Sequence, residues 1–462
     1  MKRRKLGLLA GSSLMAVAAM RNADAQSIPM APMNADPSLL TTTLTPMGAE
    51  RAGNADGSIP AWTGGMVASV TSPVAIRVFE DEPKLYTVDA SNMSQYTDLL
   101  SDGVQTMITK FGFSINVYPT HRTAAALQYV YDNAAKNVTR AQFSPNGGRF
   151  GVVGAYGGPP FPIIDTSNPD VAGPQLIWNH LTAWQGFSST KFSPGYVMTD
   201  GQLVLSEGGK DLFICPYYDP NGSPETFDGY LQKTHLYFTA PSTFDGQEVV
   251  TWHTLNTDKN PDITWELLNG QGRVRKAPDL QYDAPNGYFN GSSNQDESSG
   301  FYGNPSQYDW KYLGKKEMLI PYHNNKIQFA TADEFFTQKY PNPDIIRWEK
   351  HRVWELEATL HPGIRNVLAR RRFYIDEDSW YIALGEGYDG DNGMASIYLQ
   401  LLRVAPAIPC VNPTGFVNFH PQQGNYLYAG LLNVPGLSIP EDQTPVPEDL
   451  FDPQLMAANS SF

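Results

Sequence analysis

At 462 residues the chain is long enough to bury a large core, and a formal net charge of −14 gives it no overall field that would draw it to nucleic acid or anionic lipid. Only 17% of its residues are charged, while 40 Gly, 36 Pro, 24 Tyr and 22 Phe describe a turn-rich, aromatic-rich globular protein rather than a helical bundle. Past residue 26 no run reaches the ~18 uninterrupted apolar residues of a spanning helix, which excludes a helical membrane protein.

In chain order, Lys2, Arg3, Arg4 and Lys5 precede an apolar run from Leu6 to Met20, and small residues stand at Ala23 and Ala25. This pattern predicts a cleavable signal peptide over residues 1–25 and a mature chain beginning at Gln26. Its removal takes away five basic residues and one acid, moving the net charge from −14 to −18. No Cys follows the apolar run, so the expected product is a soluble periplasmic or secreted protein and not a lipoprotein.

Three amphipathic segments then predict helices. Tyr96 to Phe111 places Leu99, Leu100, Val104, Met107, Ile108 and Phe111 at steps of three and four. A second helix is expected from a Thr120 cap to Lys136, and a third from Pro174 to Trp184. Strand-like runs occur at Gly151 to Val153, Leu203 to Leu205, Leu212 to Ile214, Thr234 to Phe238, Glu248 to Leu255 and Met318 to Pro321.

The clearest β signal comes late, where Arg352 to Leu360 alternates Trp354, Leu356, Ala358 and Leu360 against Val353, Glu355, Glu357 and Thr359. His361-Pro362-Gly363 makes a turn, and Val367 to Ile375 returns antiparallel. A hairpin centred between Gly363 and Ile364 sets Glu357 opposite Arg370 and Glu355 opposite Arg372, a cross-strand charge ladder. Ser379 to Leu384 and Ala395 to Val404 complete a four-stranded meander. Residues 26–433 therefore read as one domain, mainly β with helices (α+β), built on a large antiparallel sheet. Residues 434–462, rich in Pro and acids, read as an extended or disordered tail.

Cys215 and Cys410 are the only cysteines. In an oxidising compartment they are expected to form one disulfide, with two separate buried thiols as the alternative.

The sequence contains no G-x-S-x-G elbow, H-E-x-x-H helix or C-x-x-C pair. Gly385 to Gly390 matches G-x-G-x-x-G, but a strand follows where a phosphate-binding helix is required, so these glycines read as turn residues. Asp389, Asp391 and Asn392 lack EF-hand spacing. The eight histidines show no compact metal-ligand spacing and are read as structural, so no metal or cofactor is expected. The pairs Asp376/Asp378 and Glu355/Glu357 suit a hydrolase's acid and base, yet a turn and a charge ladder explain them more simply. Without catalytic equipment, the supply of apolar and aromatic surface points to binding of a hydrophobic molecule. The expected cavity lining is Leu100, Val104, Met107, Phe111, Trp178, Trp184, Trp354, Leu356 and Trp380.

Several long motifs carry a resemblance to a known family: Leu44 to Gly57 with Ile59 to Gly65, Tyr118 to Ala124, Gly157 to Pro162, Trp178 to His180, Arg273 to Pro278, Tyr308 to Lys311, Gly314 to Met318, and His351 to Trp354 through Arg370 to Trp380. Over roughly residues 40–432 the chain resembles domain-of-unknown-function family 1329. The resemblance implies an outer-membrane lipoprotein-sorting-like protein with a LolA/LolB-type incomplete barrel, a strongly curved antiparallel sheet wrapped around helices, in the periplasm of Gram-negative bacteria. It also implies traffic of lipid-like molecules alongside RND-type exporters and outer-membrane partners, and supplies no catalytic residue. After Asp389-Gly390 relatives continue into Gly-x-Leu-Trp-Arg, whereas this chain has Asp391-Asn392-Gly393-Met394-Ala395.

Overall fold

Two runs of consecutive antiparallel strands make up most of the molecule. The computed structural model describes residues 35–69, 71–277, 282–435 and 444–456, so the expected signal peptide lies outside the described residues. Strands β1 (Tyr86–Val88) and β2 (Ile115–Val117) come first, then the short ladder of β3 (Gln142–Phe143) and β4 (Val152–Val153). A first meander follows: β5 (Ser188–Thr199), β6 (Gln202–Ile214), β7 (Tyr230–Ala240), β8 (Glu248–Thr254), β9 (Ile263–Leu267) and β10 (Val274–Lys276). The second holds β11 (Tyr308–Pro321), β12 (Arg347–Leu360), β13 (Arg370–Asp376), β14 (Ile382–Tyr388), β15 (Met394–Ala405), β16 (Cys410–His420) and β17 (Asn425–Gly430).

The two meanders join where Tyr426 to Ala429 of β17 pair antiparallel with Met198 to Gly195 of β5. One 15-stranded sheet results, not closed into a barrel. Among the described residues its one parallel contact sets Asn116 and Val117 of β2 beside Arg347 and Trp348 of β12. The expected class, a large antiparallel sheet with few helices, is the observed one.

Hairpin β12/β13 keeps the expected faces but not the expected register. Glu357 stands opposite Arg372 and Thr359 opposite Arg370, because pairing begins only at Leu360 and Ala369 and the loop is longer than a tight turn. The two-residue offset preserves the pleat, so the charges still meet: Glu357 lies 3.0 Å from Arg372 directly across, while the two expected pairs meet diagonally, Glu357 3.4 Å from Arg370 and Glu355 3.6 Å from Arg372.

The first two helices are shorter than their apolar patterns, and the third is shifted. Over 96–111 the chain forms a 3₁₀ turn, then α1 (Asp102–Thr106) capped by Ser101, then a π turn over Met107–Phe111 that ends at left-handed Gly112. α2 spans Gln128–Arg140 and not Thr120 to Lys136. Thr120 instead exchanges side-chain hydrogen bonds with the backbone of Lys350 on β12, which draws residues 118–124 out along that strand. α3 (Pro169–Leu181) begins earlier than expected, at an Asn168 cap with Pro169 in the first turn, and carries Pro174 within it. It lies so close to β11 that a Cβ on Gly173 would stand 2.3 Å from the Trp310 carbonyl oxygen.

The expected disulfide is not formed: Cys215 and Cys410 are both buried and unbonded to each other. They follow β6 and open β16, with β17 and β5 between those strands, and the Cys215 thiol donates to the Leu231 carbonyl at 3.0 Å. The described part of the tail, 444–456, is docked on the first meander. Val446 and Phe451 pack with Leu212 and Ile214, Met456 with Val250 and Leu267, while Lys233 bonds Glu448 and the Trp252 indole donates to the Phe451 carbonyl.

Candidate functional site

The nine residues expected to line a cavity come together, as one continuous apolar core. Leu100, Val104 and Met107 are buried around α1, and Phe111 is half-buried beside them. Trp354 and Leu356 stand on β12, with Trp354 stacked on Trp380 at 6.2 Å between ring centres. Three indoles are tied to distant backbone: Trp178 donates to the Gly148 carbonyl, Trp184 to Pro409 and Trp380 to Met47. Such anchoring fixes the rings as structural members.

A cavity of about 230 Å³ opens elsewhere, between the end of α2, β3, the 160–165 segment and the start of α3. Val138, Phe143, Phe161, Ile163 and Val171 supply its apolar wall, and Gln142, Asp165 and Asn168 its polar groups. Phe143 and Phe161 are in ring contact at 5.1 Å, and Asn137 braces the α2 side by donating to the carbonyls of Gly158 and Pro159. None of the nine expected residues lines it.

A second concentration of chemistry is a buried ion cluster around β12. Strand alternation aims Arg347, Glu349, His351 and Val353 to one side, where the 118–124 segment and the Asp376 to Trp380 turn cover them. Glu349 is its hub: Oε1 meets His323 Nδ1 at 2.8 Å and Arg347 Nε at 2.5 Å, and Oε2 takes the His121 backbone N–H at 2.9 Å and meets His351 Nε2 at 3.3 Å. Burial alone would raise this carboxyl, but His323 and His351 hold it well below 4.5. Burial would depress His351, and Glu349 and Asp376 lift it above 6.5 instead.

Arg122 grips Asp378 through Nε and Nη2 at 2.8 and 2.6 Å, a bidentate pair. Glu377 meets Lys315 at 2.7 Å and Arg352 at 3.3 Å. Of the seven non-glycine residues with positive φ among those described, Phe79, His323 and Trp380 all belong to this neighbourhood. Phe79 lies flat on His121 at 3.9 Å. Backbone held in so sparsely populated a region persists only where surrounding contacts over-determine it.

The sequence reading missed this cluster, since its histidines are widely spaced and Asp376 and Asp378 resemble turn residues. One signal was present: Glu349 and His351 occupy alternate positions of a strand whose other residues call for burial.

Residues 87–457 match the family described as "Protein of unknown function (DUF1329)". The chain belongs to that family. An uncharacterized protein of Pseudomonas aeruginosa, PA3922, is 37% identical over 378 residues, which cover 78% of this chain and 80% of that one. Among solved structures, a DUF1329 family protein from Desulfovibrio piger is 12% identical with a TM-score of 0.43, covering 63% of this chain and 99% of its own. A putative outer membrane lipoprotein-sorting protein domain from Vibrio parahaemolyticus is 12% identical with a TM-score of 0.42, covering 62% and 98%. In this DUF1329 chain, motifs 118–124, 314–318, 351–354 and 376–380 meet at the ion cluster. No helix among the described residues is long and apolar enough to cross a membrane.

Proposed function

We propose that this DUF1329 protein is a periplasmic carrier that binds a hydrophobic or lipid-like molecule and serves envelope transport with an RND-type exporter or an outer-membrane partner. The cavity between α2 and α3 carries the reading, because it pairs an apolar wall with a few polar groups suited to a headgroup or carboxylate. Its volume of about 230 Å³ falls below the usual range for a whole drug-sized ligand, so it suits one acyl segment or ring with the remainder at the mouth. Each Å² of apolar surface withdrawn there is worth about 25 cal/mol. The leader pattern over residues 1–25 supports the periplasmic assignment.

The test is titration of the mature protein with a fluorescent fatty acid, beside Val171→Trp, which fills the cavity from a half-buried position. The carrier reading expects saturable binding near one equivalent, weakened at least tenfold in the variant at unchanged thermal stability. Absence of saturable binding, or binding indifferent to the added indole, rejects it.

A second reading, a ligand-free adaptor that docks envelope proteins, is favoured by the filled core formed by the nine residues first expected to line a cavity. It expects protein recovered from the periplasm to carry no stoichiometric hydrophobic species in native mass spectrometry, and to bring an envelope protein with it.

A further inference from the structure

We propose that His351, Asp376 and Asp378 form a buried site for one divalent transition-metal ion of the Zn²⁺ or Mn²⁺ kind. The three residues come from β12, the last position of β13 and the turn beyond it, and one ligand atom from each lies within 4.8 Å of the others. They are 1%, 0% and 5% exposed. The inference is independent of the carrier reading, because the site lies apart from the α2/α3 cavity.

Asp376 supplies the decisive observation. Its Oδ2 accepts from the Tyr322 hydroxyl at 3.2 Å and from the Ser379 N–H and hydroxyl at 3.0 and 2.6 Å, while its buried Oδ1 accepts no hydrogen bond. That oxygen faces His351 Nδ1 at 3.8 Å. A buried carboxylate oxygen without a hydrogen bond is unfavourable, and with His351 neutral its nearest polar neighbour offers it no positive charge, which a bound cation would supply.

His351 is oriented for the same purpose. Its Nε2 is directed at Glu349 Oε2 at 3.3 Å, and Glu349 is itself held by His323, Arg347 and the His121 N–H. A carboxylate behind one ring nitrogen draws the proton there and leaves the other nitrogen's lone pair free to ligate. With Nε2 protonated, the Nδ1 lone pair and Asp376 Oδ1 face one another, an arrangement that needs a positive charge between them.

The charge balance of the neighbourhood agrees. Glu50, Glu82, Glu349, Asp376, Glu377 and Asp378 are matched by Arg122, Lys315, Arg347 and Arg352, which leaves two negative charges when the histidines are neutral. One nitrogen and two carboxylates favour a first-row transition ion over the all-oxygen shells of Ca²⁺ or Mg²⁺. The ligand atoms need to close by about an ångström to reach bonds of about 2.1 Å. Asp378 would then bridge the ion and Arg122, clipping the 118–124 segment to β12 and β13.

The experiment is elemental analysis of untagged mature protein purified without chelators, followed by reconstitution with Zn²⁺ or Mn²⁺ alone and thermal denaturation with and without EDTA. The expected result is about one equivalent of one ion, a melting temperature that falls by several degrees on chelation and recovers on adding the ion, and loss of the ion in Asp376→Asn and His351→Gln but not in His361→Gln. If the first two variants fail to fold, the chelation and recovery of the wild type remain decisive. A wild-type protein that takes up neither ion and melts identically with and without EDTA overturns the proposal, in favour of a proton shared by His351 and Asp376. Equal metal content in the wild type and both folded site variants overturns it too.

Discussion

Glu386 on β14 shows what one buried carboxyl does to the whole protein's pH response. It is almost fully buried, the Ser101 side chain and the Gly103 N–H, at 3.0 Å from Oε1, favour its charged form, and its Oε2 takes no hydrogen bond among the described residues beside a void of about 10 Å³ lined also by Arg371, Tyr398 and Asn418. Burial pushes this carboxyl up to about 7 from 4.5. Because the folded state holds the proton more tightly than the unfolded chain, stability falls as pH rises from about 4.5 through about 7, by a few kcal/mol at most. Glu386→Gln keeps the acceptor and replaces the charge with an amide, so it should raise the melting temperature at pH 8 and barely change it near pH 4.5. A scan at the two pH values checks this, and equal shifts would contradict it. Nothing in the sequence marked Glu386, which sits in a glycine-rich strand that reads as a turn approach. The burial of Trp354 and Trp380 was legible from alternation, but not that their surroundings are solid, since cavity volume depends on residues far apart in the chain.

At the level of elements, strands were more legible than helix starts or the tail. Alternation over 352–360 identifies β12 because a sheet face sorts residues with period two, whereas the helical pattern from Thr120 fails because a hydrogen bond to β12 outweighs local propensity. The tail misleads by composition: prolines and acids suggest no core, yet Phe451 and Met456 are wholly buried anchors. Phe451→Ala should therefore undock residues 444–456. Removing a buried phenylalanine costs about 3 to 5 kcal/mol, more than one short segment with a single well-placed ion pair at Lys233 can retain. Limited proteolysis should cut the variant within this segment while leaving the sheet intact. Unchanged cleavage rates would show that the backbone bonds to His235 and Trp252 hold it unaided.

Across the whole molecule, the sheet's continuity rests on the four-residue pairing of β17 with β5, which no local pattern announces because its partners lie far apart in sequence. Leu427 pairs with Val197 on one side and Asn418 on the other. A proline there removes a central ladder donor, so Leu427→Pro should abolish cooperative folding, whereas Lys276→Pro on edge strand β10, where the N–H points away from β9, should be tolerated. Circular dichroism during urea denaturation distinguishes the two, and equal tolerance would mean the two meanders stand independently. The same seam sets a schedule for synthesis. Met198 precedes its partner Tyr426 by about half the chain's length, so in a chain that appears from its N-terminus onward β5 keeps one edge bare until β17 has followed it. A chain halted before that point is left with an exposed strand edge ready to pair with a neighbour's, so premature termination should yield aggregate in place of a smaller working domain.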